Sequence, residues 1–321
     1  MSDPHGELAS VIHTPPGRDR GPHDGCRRYL VQMVTFDARN ASLNTADEED
    51  DYEPDIREQW RQNRLAIIGE LAGEFGADDL ARKVTDYRAL GNMPFSVIAL
   101  HNTFLKQIRD AFTGGGYYPA LVGAGALGER ILNQLIIVLR EDYHGHSATT
   151  PAIAEGKSFT NWRQCIEALA AWRVLTDDLA VKFRSLARLR HRAVHYNPGL
   201  DNSDARDDAL DATLAVQDIV AELFQPLGGP PRFIAGTSGH TYLSTEAESQ
   251  PLIRRFFLPS SVLVSPRFKM ELIPQGRNSF AVQVFDDRSY QDRYPTLADA
   301  EFAEHCNDPG IFWPELATTS E

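Results

Sequence analysis

The stretch PALVGAGALGERILNQLIIVLRED, residues 119–142, decides the fold. Its apolar residues Leu127, Ile131, Leu132, Leu135, Ile136, Val138 and Leu139 recur at helical spacing and cover most of a helix circumference instead of one stripe. A helix from about Pro119 to Asp142 that is apolar nearly all round has to be enclosed, so it predicts the central member of a helical bundle. Its longest unbroken apolar run, Leu135 to Leu139, is far too short to span a bilayer.

Working outward, the flanking segments supply the rest of such a bundle. In REQWRQNRLAIIGELAGEFG (57–76), Trp60, Leu65, Ile68, Leu71 and Phe75 keep helical spacing and the pattern closes at Gly76. A second helix is expected from roughly Ala77 to Leu90, and Pro94 opens a third that ends at Gly114-Gly115-Gly116. Beyond the central helix, Ser158 or Thr160 is expected to cap a helix running to about Trp172. Two further helices follow, Asp177 to His195 and Asp204 to Phe224, the second ending before Pro226.

The sequence LGGPPR (227–232) reads as a hinge, and the pattern then changes to short β-rich runs, FFLPSSVLV, FKMELI and SFAVQVF, with a last helix near Leu297 to Cys306. The expected fold is therefore mainly α, a helical bundle with a smaller C-terminal α+β unit. Its expected parts are a flexible leader over 1–27, a strand and helical region over 28–93, the bundle over 94–226 and the α+β unit over 232–321. Within the second part, Tyr29 to Phe36 reads as the strand and the acidic run Asp47 to Asp51 as a solvated linker.

The 321 residues, 42% hydrophobic, are enough for one large domain or two smaller ones with packed cores. A formal net charge of −13 excludes a protein that coats nucleic acid indiscriminately, because that needs a basic surface; any contact with a polyanion has to be local. Cys26, Cys165 and Cys306 lie far apart with no C-x-x-C spacing, so neither a disulfide framework nor a thiolate zinc site is expected. The N-terminus has no apolar signal core, and a soluble protein of the reducing cytoplasm, with no membrane partner, is the expectation.

Against that acidic background, LARLRHRAVHYNPG (186–199) concentrates three arginines and two histidines at one helix end. At about 100° per residue, Leu179, Phe183, Leu186 and Val194 form one stripe, and Arg190 falls inside it. A guanidinium on that stripe needs an acid, a phosphate or a polar seam between subunits, and Glu129 on the edge of the central helix is a candidate partner. Arg188, Arg192 and His195 cluster on another side, with His191 between the groups, and Asn197-Pro198-Gly199 stops the helix. Basic groups in a last turn also complement the helix dipole with no further role. A metal reading would use His191 and His195 with His144 or His146, but HRAVH lacks the glutamate of H-E-x-x-H and three arginines nearby repel a divalent ion, so no metal is expected.

Arg190-His191-Arg192-Ala193-Val194-His195 resembles the defining motif of the HEPN domains, an arginine, four to six residues and a histidine, often with a polar residue after the arginine. LGERILNQLIIVL resembles that family's early apolar helix, and SFTNWRQCIEALAAWRVL followed by FRSLARLRHRAVHY resembles its last two, over about residues 94–226. The spacing recurs at Arg18 with His23, Arg140 with His146 and Arg188 with His195, but only Arg190 has the leucine-rich helix end, the polar follower and the stop after the histidine.

The resemblance implies a metal-independent, cofactor-free endoribonuclease, often dimeric, of the kind found in toxin–antitoxin and antiphage systems. On that reading His195 moves protons, Arg190 stabilises charge on the phosphorus oxygens, and His191 and Glu129 complete the catalytic group. Arg184, Arg188, Arg192, Tyr196 and Asn197 hold RNA. Arg190 and His195 are five apart, about 140° around a helix, so convergence requires unwinding at the helix end or a second subunit. The competing expectation is an inactive HEPN-like module for dimerisation or ligand binding, with Arg190 in a structural ion pair.

Overall fold

The computed structural model describes residues 17–31, 37, 39–44, 53–156, 161–195, 205–237, 241–276, 279–286 and 288–306, without the side chains of 269–289. The protein is mainly helical and divides into two compact units, residues 34–225 and residues 1–33 with 226–321.

Among the described residues the regular elements of the first unit are helices: α1 (Arg39–Asn44), α2 (Pro54–Phe75), α3 (Leu80–Ala89), α4 (Ala99–Thr113), α5 (Tyr117–Leu139), α6 (Pro151–Glu155), α7 (Trp162–Ala171), α8 (Asp177–Val194) and α9 (Ala205–Phe224). Helix α5 is the central one, packed by α4, α7, α8 and α9. Leu127, Ile131, Leu132, Leu135, Ile136 and Leu139 are buried as the pattern predicts, each fully buried leucine or isoleucine contributing about 2 kcal/mol of transfer free energy. Val138 is half-buried and Ile137 exposed, so the helix keeps one outward edge. The run Leu135 to Leu139 is too short to span a bilayer, but α5 as a whole has the length and hydropathy to cross one; half of its most apolar window is buried inside the bundle.

Local bonds set several boundaries that periodicity misplaces. Helix α4 begins at Ala99, not Pro94: the Ser96 amide donates to Asn102 Oδ1 (2.7 Å), Asn102 Nδ2 donates back to the Ser96 carbonyl (2.8 Å), and the Val97 amide donates to the Phe224 carbonyl (2.9 Å). These bonds hold the preceding residues outside the helix. The α7 cap is Asn161, whose Oδ1 accepts from the Arg163 amide (2.8 Å); the expected caps Ser158 and Thr160 lie outside the described residues. The acidic run Asp47 to Asp51 also lies outside them.

His101 on α4 is fully enclosed against the edge of Phe224, with its Nδ1 3.3 Å from Ser96 Oγ and its Nε2 3.3 Å from Gln134 Oε1. Burial pushes its pKa down to about 4, opposed by the bond to Gln134 and aided by Arg130. The neutral ring therefore stabilises the fold fully above the unfolded value near 6.5, and that contribution, roughly 3 kcal/mol, is lost as pH falls toward 4. In urea unfolding at pH 7 and pH 4.5, the parent should lose substantially more stability than His101→Gln; equal losses would contradict this account.

In the second unit, β1 (Arg28–Val31) pairs antiparallel with β2 (Ser261–Val264), and β3 (Phe268–Gly276) forms a hairpin with β4 (Ser279–Asp286), followed by α10 (Arg288–Arg293) and α11 (Asp299–Cys306). This places the expected N-terminal strand with the C-terminal unit, apart from the helices that follow it in sequence. The expected leader is also structured from Gly17 onward: its amide donates to the Ser261 carbonyl (3.1 Å), and Arg20 pairs with Glu248. Phe256 and Phe257, expected in a strand, lie in a π-helical turn before β2. Leu30, Tyr242, Val262, Val264 and Phe302 form this unit's core. Arg28, 1% exposed, crosses it to reach Asp299 at 2.6 Å and backbone carbonyls including Leu297, which satisfies a charge too costly to bury alone.

Candidate functional site

Helix α8 starts at Thr176, whose hydroxyl accepts from the Leu179 amide (3.2 Å), with Asp177 and Asp178 in the first turn and His191 and Arg192 in the last, matching the dipole at both ends. Leu179, Phe183 and Leu186 are buried, as the wheel predicts. Val194, placed on the same stripe, is 46% exposed, because α8 buries nothing beyond Leu189 and its last turn leaves the packed face.

Arg190 reaches Glu129 on α5, Nη2 to Oε2 at 2.9 Å, and the two side chains stay 34% and 33% exposed. Of the partners open to it, the arginine takes the acid. At that exposure the pair contributes about 0.5 kcal/mol, so its main effect is positional. The close approach depends on glycine. A Cβ on Gly125 would stand 2.8 Å from Arg190 Cβ and Cγ, and one on Gly128 would stand 2.5 Å from Leu186 Cδ2, so either would push α8 away from α5. Trp162 on α7 adds a long contact from its Nε1 to Glu129 Oε2 (3.4 Å), a partner the sequence did not indicate.

The helix stops at Val194, one residue early, and His195 takes extended backbone (φ −100°, ψ 134°) while its amide still donates to the His191 carbonyl (3.1 Å). Its ring packs on His191, centroids 4.4 Å apart, and both imidazoles are exposed. His195 thus meets His191, four residues before it, and no contact between His195 and Arg190 is present among the described residues. Arg184 and Arg188 are exposed and make no ion pair or hydrogen bond among the described residues. Arg192 is bound to Asp208 in the first turn of α9, so its expected role as an RNA donor is preoccupied by an acid supplied through tertiary packing. Tyr196 and Asn197 lie outside the described residues.

Helix α8 and its end thus carry a cation held by a carboxylate, two exposed imidazoles in contact, and two arginines open to an anion. His144 and His146 bond within their own turn, and among the described residues no three metal-ligating side chains come together. No protein-family model, curated protein or solved structure matches the chain.

Proposed function

We propose that the protein is a metal-independent endoribonuclease of HEPN type, acting on RNA as a cytoplasmic homodimer and restrained by an antitoxin or defence-system partner. The observation that carries this reading is the packing of the exposed His191 and His195 rings at the end of α8, a helix whose Arg190 is held by Glu129 and whose Arg184 and Arg188 lie open elsewhere along it.

In this reading the RNA backbone lies along the open arginines, which grip phosphates as bidentate donors. His195 takes the proton from a 2′-hydroxyl, whose oxygen attacks the adjacent phosphorus; the 5′-oxygen of the next nucleotide leaves with a proton from an imidazole, and a 2′,3′-cyclic phosphate remains. Arg190, oriented by Glu129, faces the charge that builds on the non-bridging oxygens. His191, whose ring packs on that of His195, is the second imidazole in this reading. The net charge of −13 keeps affinity for RNA dependent on this local patch.

The Arg190–Glu129 ion pair itself favours a second reading, a binding module in which the arginine is spent on structure. Cleavage separates the two. An RNA oligonucleotide should be cut while its all-deoxy counterpart, lacking the attacking hydroxyl, stays intact; cleavage of both would reject the mechanism, and cleavage of neither would favour the binding module.

A further inference from the structure

Helix α8 carries a second pattern on the side it turns to solvent. Asp177, Val181, Arg184, Arg188 and His191 fall within about 80° of one another around the helix, and all of them are exposed. Read from the helix start, this stripe opens with an acid, passes a valine and ends in two arginines and an imidazole, against which the His195 ring is packed.

The other cations of α8 have acids. Arg190 takes Glu129 on α5, and Lys182 and Arg192 take Asp218 and Asp208 on α9. Arg184 and Arg188 take none among the described residues, although the two α8–α9 pairs set Asp211 close to the level of Arg188. In a chain of net charge −13, two guanidiniums stand open one turn apart, about 6 Å along the axis, in line with the paired imidazoles.

The shape of this charge fits one strand. The basic stripe is a single side chain wide, so it follows one line of phosphates. A duplex presents two backbones. On the α9 side Asp208, Asp211 and Asp218 share a helix face, and a second backbone laid there would meet carboxylates instead of cations. Toward the helix start the stripe continues only as Val181 and Asp177, so its cationic part ends at Arg184.

We propose that this stripe is a track for a single nucleic-acid strand, in which Arg188 holds the phosphate nearer the imidazoles and Arg184 the next one. The track stands without the ribonuclease reading, but the position of the cut rests on it: on that reading both held phosphates lie on the same side of the cleaved bond. A third phosphate on that side faces Val181 and Asp177 and gains nothing.

The test begins with fluorescence anisotropy of the full chain and a labelled all-deoxy oligonucleotide, which binds but offers no 2′-hydroxyl to attack. The single strand should bind at least about tenfold tighter than its duplex, and the slope of log affinity against log salt should shrink by about 0.7 in Arg184→Ala and again in Arg188→Ala. Val181→Arg, at a valine 58% exposed on the same stripe, should steepen the slope by about 0.7, while Arg57→Ala, an equal loss of charge on α2, should leave it alone. The position of the cut is read from DNA oligonucleotides with one ribonucleotide, lengthened from either end. The first two nucleotides added on one side should each raise kcat/KM about threefold, a gain lost in the two arginine variants, and additions on the other side should be indifferent to those variants. Slopes that move with no chimera cut would uphold the track and sink the ribonuclease reading. Absence of binding, a duplex bound as tightly as the strand, slopes unmoved by both arginine variants, or gains lost equally on both sides would each overturn the proposal.

Discussion

Asp86→Ala should lower the unfolding free energy of the helical unit by about 3 kcal/mol. Asp86 is 1% exposed on α3 and serves three helices. Its Oδ2 accepts from Arg82 (2.8 Å) and from the Tyr117 hydroxyl at the start of α5 (2.9 Å), and its Oδ1 accepts from Arg206 on α9 (2.8 Å). Arg82 continues to the Thr113 carbonyl at the end of α4 (3.3 Å) and packs against Gly115, where φ of +90° makes the turn between α4 and α5. Truncation leaves Arg82 and Arg206 without the carboxylate they share. They remain 32% and 30% exposed, which screens part of their charge and keeps the loss near the low end for a broken buried pair. Asp86→Asn, which keeps an acceptor but not the charge, should lose less. Urea unfolding reads both, and a loss below about 1 kcal/mol for the alanine variant would contradict a buried hub.

The second large effect is on activity. His195→Ala should slow RNA cleavage by about 10²- to 10⁴-fold and Arg190→Ala by about 10²- to 10³-fold, the ranges for losing a proton-transfer group and a charge-stabilising donor. Arg190 lies part-exposed near the end of α8 and His195 exposed just beyond it, so circular dichroism and melting temperature should barely move. Arg188→Ala, outside the chemistry but open to phosphate, should weaken RNA binding and flatten its salt dependence while leaving the chemical step intact. A His195→Ala variant as active as the parent would remove the histidine from the mechanism.

Elements whose signal is local were legible from residue order. Helix α5 is visible because its apolar residues fill most of its circumference, and Arg190 stood out because the same wheel put a cation between Leu186 and Val194. Glu129 followed, since α5 is the neighbour such an arginine can reach. Tertiary events were not legible. β1 pairs with β2 more than two hundred residues away, a partnership no window of sequence contains. The Ser96–Asn102 exchange that delays α4 is a side-chain device with no periodicity. Asp208 captures Arg192 only once α9 lies beside α8, and Val194 is exposed because packing ends before the helix does.

The proposed ribonuclease chemistry rests on side chains at the end of α8. The most direct measurement is mass analysis of the fragments left when RNA is incubated with the parent protein and with His195→Ala in excess EDTA. The account predicts 2′,3′-cyclic phosphate ends from the parent and intact RNA from the variant. Cleavage abolished by EDTA, or fragments with 3′-hydroxyl and 5′-phosphate ends, would contradict it.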